Sequence, residues 1–316
     1  MEFVIEKNDD CTETIAAVNP IMKRFLEGIL NEMGQNLTSL DYFVVADSED
    51  TRYAKTVMKY ADILGTEAHI TQDGRYFAAG KVLEGIDLVG NLHQAIVVKS
   101  SIWVNAALDY LNAQKLLSEQ AQQKMSMPPY MSLALILHEV GHVIDNENRH
   151  NIFGAINTKI KYNLSCEYDE YIKNTALSLW GEYYAESFVY QIIRTEDDFT
   201  QGRESELIAC LSSYSMGTDM NSLLERVYRI LYFFVIRIAF IHRQSNYERS
   251  FDYKRYENSA KVSDYIPILM RVESAIKNLY KDYPKWNTYT QLDELKGVFE
   301  EFVHFEYKKQ MENEKL

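Results

Sequence analysis

The chain has little of several things that would send its reading elsewhere. Its 316 residues include only three cysteines, Cys11, Cys166 and Cys210. They are odd in number and without motif spacing, which argues against a disulfide framework and fits a reducing cytoplasm. Positive charge is in deficit: 33 Lys and Arg stand against 46 Asp and Glu, a formal net charge of -13. Nucleic-acid binding depends on neutralising phosphates with Lys and Arg, so no nucleic-acid partner is expected. Long apolar runs are missing too. The longest, Ile230 to Ile241, contains Arg237 and is too short to cross a bilayer, so it reads as a buried helix and no membrane role is expected. Met1-Glu2-Phe3-Val4-Ile5-Glu6 lacks the basic region and apolar core of a secretory leader, so the expected location is cytoplasmic. Low-complexity tracts and internal repeats are absent. With 47% hydrophobic residues, the composition is that of a globular protein with either one large domain or two ordinary ones.

Histidine is scarce, only seven in the chain, yet two of them stand four apart in His138-Glu139-Val140-Gly141-His142. On a helix, that spacing points both imidazoles to one face, where they can share a metal ion, and the intervening Glu139 can take a proton from water there. This is the HExxH zinc-hydrolase signature, a string that chance would place in about one such chain in a hundred. The flanks predict the helix it requires. Pro128 and Pro129 suit a first turn behind a Ser126 cap, and Leu133, Ile136, Leu137, Val140, Val143 and Ile144 form a broad apolar surface.

Catalytic zinc usually has three protein ligands, so a third is sought downstream. The segment from Glu167 to about Arg194 reads as a helix with Ile172, Leu179, Trp180, Val189, Ile192 and Ile193 as core contacts. Within it, Trp180-Gly181-Glu182-Tyr183-Tyr184-Ala185-Glu186 puts Glu182 and Glu186 one turn apart on one face. Glu182 can then bind zinc while Glu186 accepts the second N–H of a ligand histidine. His150 and Asp145 are the competing third ligands, although Asn146 to Asn151 reads as a solvated loop. A third histidine six residues after His142, preceded by glycine, is excluded because Asp145 and Asn148 hold those positions.

HEVGH followed some forty residues later by a helical GExxAE resembles the gluzincin group of zinc metallopeptidases over roughly residues 130 to 195. The resemblance implies His138, His142 and Glu182 as ligands of Zn2+, Glu139 as general base, Glu186 as a partner behind a ligand, and a protein or peptide substrate. It also implies an upstream antiparallel sheet whose edge strand aligns the substrate backbone. Two other readings stay open: a regulatory or partner-binding protein on a zincin core with absent or cryptic peptidase activity, and a hydrolase of non-peptide amides or esters. Tyr183, Tyr184, His150 and His242 are possible oxyanion donors.

The expected fold is α+β and predominantly helical, a zincin-like core with a small, mainly antiparallel sheet upstream of the zinc helix and a helical C-terminal region. The expected division is 1–200 for the zincin-like metallopeptidase domain and 201–316 for the helical region. Asn19-Pro20 opens a helix ending before Gly34, and Tyr42 to Ala46 is a strand. Ser48 caps a helix that Gly65 terminates. His69–Gln72 and Arg75–Ala78 flank an Asp73-Gly74 turn. Ala95 to Lys99 is the candidate edge strand, with an ordinary core strand as its alternative, and Ser101 to about Lys124 is a helix. After residue 200, Leu223, Leu224, Val227, Leu231, Phe234, Val235, Ile238 and Ile241 recur at helical spacing. A last helix opens near Thr290 on Leu292, Leu295, Phe299, Phe302 and Val303.

Overall fold

A computed structural model describes residues 1–6, 12–32, 37–68, 72–73, 76–77, 80–114, 130–153, 167–193, 201–213, 220–287 and 289–313. The chain divides into two compact units, Met1–Ile156 and Asn157–Leu316. The first is a sheet covered by helices and the second is helical among its described residues, so the α+β, helix-rich class holds.

The first unit is built on β1 (Glu2–Ile5), β2 (Leu40–Ala46), β5 (Gly80–Ile86) and β6 (Leu92–Lys99), in the spatial order β1-β2-β6-β5. β1 pairs with β2 and β2 with β6 in parallel; only β5 and β6 are antiparallel. The sheet is therefore mixed, not mainly antiparallel. The reason lies in the connections: α1 (Thr12–Glu32) separates β1 from β2, and α2 (Asp50–Leu64) lies between β2 and β6. Such helical crossovers return the chain in the same direction.

Alternate residues serve the two faces of the sheet. Val44, Ala46, Leu83, Ala95 and Val97 pack with Tyr53, Val57, Tyr60 and Ala61 of α2. From the other face, Phe43 meets Trp103 of α3 (Ser100–Ala113) with ring centroids 4.9 Å apart. Ala95, Ile96, Val97 and Val98 are at most 1% exposed, the run expected of a strand covered on both faces. β6 is thus interior, and the edge beside it is β5, contrary to the edge assignment made from sequence.

Local corrections have local causes. Pro20 lies inside α1 because Ile15, Val18, Met22, Leu26 and Ile29 make one continuous buried row across it, and that burial outweighs the lost hydrogen bond. Glu49, not Ser48, caps α2, accepting from Thr51 N and Arg52 N at 3.0 and 2.9 Å. Ser48 instead accepts from Ser101 N at 2.8 Å, at the start of α3. Gly65 ends α2 in the left-handed region, φ 65°. In the hairpin, β3 (Gln72–Asp73) pairs with β4 (Tyr76–Phe77), and Asp73 faces Tyr76. Asp73, expected in the turn, is therefore a paired strand residue, and Gly74 and Arg75 lie outside the described residues. The predicted helix beyond residue 114, with Ser126, Pro128 and Pro129, falls outside the described residues.

The motif helix, α4, runs Met131–Phe153. Its N-terminus is closed from outside: Asp109 of α3, 2% exposed, accepts from Ser132 N and Leu133 N at 3.2 Å each. Burial pushes the Asp109 carboxyl up, and the backbone N–H groups of Leu133, Tyr130 and Ser132 pull it back only partly. Losing a cap of this kind costs about 0.5–2 kcal/mol. Asp109→Ala is accordingly expected to lower the unfolding free energy by that much, read as a lower urea midpoint at unchanged slope; an unshifted midpoint would show that α4 does not need this cap.

The second unit holds α5 (Glu167–Ile192), α6 (Gln201–Ser212), α7 (Met220–Gln244), α8 (Ile266–Asp282) and α9 (Asp293–Asn313). Trp180 of α5 is fully buried among Tyr283, Trp286, Tyr183 and Tyr280, with ring centroids 4.9, 4.8, 6.0 and 6.4 Å away. Phe234 of α7 and Leu295, Phe299, Phe302 and Val303 of α9 are buried on the predicted faces.

Candidate metal centre

The apolar rows of α4 fix which way its polar residues face. Ile136, Leu137, Val140, Val143 and Ile144 are at most 2% exposed, while His138, Glu139 and His142 are half-buried beside them. The two imidazoles cross at 84° with their Nε2 atoms 3.1 Å apart. Two nitrogens bound tetrahedrally to one zinc at about 2.0–2.1 Å stand about 3.3 Å apart. The pair therefore already has nearly the separation that one shared ion needs.

α4 continues well past the motif. The segment from Asn146 to Asn151, expected as a solvated loop, is helix because the sheet satisfies its polar groups. Asn146 Nδ2 donates to Gln94 Oε1 at 2.9 Å, and Gln94 Nε2 donates to the Val143 carbonyl at 3.2 Å. Ser39 Oγ donates to Glu147 Oε2 at 2.6 Å. These bonds tie the motif helix to β6 and to the start of β2. They also occupy the rival ligands' neighbourhood: His150 Nε2 bonds the Gly90 carbonyl at 2.9 Å, and fully buried Asp145 pairs with Arg149 Nε at 2.9 Å.

On α5, Glu182 and Glu186 share the half-buried face between buried Trp180, Tyr183, Ala185 and Ser187. Two tyrosines one turn apart on α7 feel these acids. Burial and then the charge of Glu182 push the Tyr228 hydroxyl up to about 12. Burial and the charges of Glu182 and Glu186 hold Tyr232 well above the ordinary tyrosine range, with Arg203 opposing. Both hydroxyls therefore keep their protons and remain donors at neutral pH. Sequence reading passed over them because tyrosines on an apolar helix look like core; their i, i+4 spacing was the only clue.

His138, His142 and Glu182, all half-buried, are a group that could hold a metal ion. No other His, Cys, Asp or Glu group among the described residues meets that description. Two imidazole nitrogens and one carboxylate oxygen are the donor set of an open catalytic zinc site. Glu186, one turn beyond Glu182, is close enough to Arg203 and Tyr232 to influence both electrostatically. If it also orients a ligand, Glu186→Gln should lower zinc affinity or turnover by about 10- to 100-fold without removing the site. Affinity and turnover both equal to wild type would assign Glu186 to the electrostatics of α7 alone.

Three of the four candidate oxyanion donors are committed elsewhere: His150 to the Gly90 carbonyl, and Tyr183 and His242 to each other. The Tyr183 hydroxyl lies 2.8 Å from His242 Nδ1, and His242 Nε2 lies 2.8 Å from Glu273 Oε1. Burial keeps His242 below its ordinary pKa; it also opposes ionisation of Glu273, but donation from His242 and Tyr253 still holds that carboxyl low. A neutral imidazole thus links a tyrosine to a carboxylate inside the second unit, as structure. Comparison of the chain with protein-family models, curated proteins and solved structures gives no match.

Proposed function

We propose that the protein is a zinc-dependent peptidase with His138, His142 and Glu182 as metal ligands and Glu139 as general base. The observation that carries this reading is the HExxH helix itself, with its two Nε2 atoms 3.1 Å apart and Glu182 in the same ligand group. The absence of any membrane-crossing helix among the described residues and the paucity of cysteine fit action in the cytoplasm.

Zinc held by this donor set supplies Lewis acidity, polarising a carbonyl and making water a nucleophile near neutral pH. The chain's own residues do the rest. Glu139, three residues before His142 and adjacent to His138, accepts the proton of the attacking water as the C–O bond forms. It then delivers that proton to the amide nitrogen as the C–N bond breaks, so one carboxylate serves as base and then as acid. Tyr228 and Tyr232 are protonated donors near Glu182 and can bind developing negative charge only if a substrate carbonyl comes within hydrogen-bond reach.

The direct test is incubation of the zinc-loaded protein with a proteome-derived peptide library. New peptide termini that disappear with a chelator and return with added zinc support the reading. A library left intact by fully loaded protein opposes it.

A further inference from the structure

Gly80 is the first residue of β5, an edge strand of the sheet, and pairs with Val98. Its backbone does not demand glycine, because only Gly65 and Gly90 take positive φ among the described glycines. Space does. A Cβ on residue 80 would stand 2.8 Å from Glu139 Cγ, 3.0 Å from Oε1 and 3.1 Å from Cδ. The strand backbone therefore lies flush along the acid from its second methylene to a carboxylate oxygen.

Gly85, five residues on, supplies the contrast. A Cβ there would stand 2.1 Å from the Leu64 carbonyl oxygen, the fixed backbone at the end of α2, so glycine at 85 is demanded by packing. At residue 80 the obstructed group is a flexible side chain. It must shift from its second methylene outward, and it carries the carboxylate with it.

We propose that Gly80 is a positioning residue for Glu139: the bare strand backbone is the wall that selects the conformer in which the carboxylate can serve as base. The inference rests on the reading of Glu139 given under Proposed function. Its force comes from the tolerance of proton transfer, since a misplacement of about 1 Å at a reacting group can cost about 100-fold in rate.

The test combines activity with a thermal-unfolding cycle on the full, zinc-loaded chain. Gly80→Ala should bind zinc within about twofold of wild type yet lose about 100-fold in kcat, with KM little changed. Gly80→Val should lose more. In the Glu139→Ala background the obstructed atoms are gone, so adding Gly80→Ala should no longer lower the unfolding temperature, whatever it does in wild type; contacting residues couple in this way and distant ones do not. A Gly80→Ala protein with wild-type kcat would overturn the proposal, as would an equal drop in unfolding temperature in both backgrounds. Failure of the peptidase reading looks different: wild type itself then cleaves nothing, whereas failure of this inference leaves an active wild type, an inactive Glu139→Gln and an active Gly80→Ala.

Discussion

Replacing His138 or His142 with alanine is expected to abolish stoichiometric zinc binding, the largest effect of any single change in the chain. In the proposed site each imidazole is one of three protein donors, and their Nε2 atoms are held 3.1 Å apart by one turn of α4. Removal of one leaves its partner without a shared ion. Groups that merely orient a ligand already change affinity about 10- to 100-fold, so loss of a ligand should exceed about 100-fold. Metal analysis of the purified variants and competition titration read this directly. Glu182→Ala should also fall by more than about 100-fold, because Asp145 pairs with Arg149 and His150 with the Gly90 carbonyl. Unchanged affinity in both histidine variants would remove α4 from metal binding altogether.

The second large effect is catalytic. Glu139→Gln should keep zinc and the unfolding temperature of wild type while kcat falls by about 100- to 10,000-fold, the usual worth of a general base. The amide matches the carboxylate in shape but cannot accept the proton of water. Gly80 leaves room for the side chain at this position, and glutamine occupies the same room. Activity within tenfold of wild type would show that Glu139 is not the base, whereas loss of zinc would give it a structural task.

The helices were written plainly in the sequence where one apolar row decides them. α4, α5, α7 and α9 carry their buried residues at helical spacing, and the core assigned to each is buried except for Ile192 and Ile241, which are half-buried. The metal-ligating candidates were legible for a related reason: four-residue spacing on a helix is a statement about direction. What escaped depends on residues far apart in sequence. Strand order and the parallel pairing of β1, β2 and β6 follow from crossovers, not from the strands' own composition. The extension of α4 past His142 depends on Gln94 and Ser39, some fifty and a hundred residues upstream in the chain. Its cap comes from Asp109 on another helix. Gly80 offered only the weak signal of a glycine in a strand-forming segment, which marks a close backbone approach without naming what approaches.

The central claim is that this site hydrolyses peptide bonds through Glu139, and it is tested most directly by proteomics of cut termini in cells expressing either wild type or Glu139→Gln at equal zinc content. The account predicts a set of new protein termini present with wild type and missing with the variant. Identical termini from the two proteins would contradict it and leave a zinc-binding protein that acts by contact with a partner.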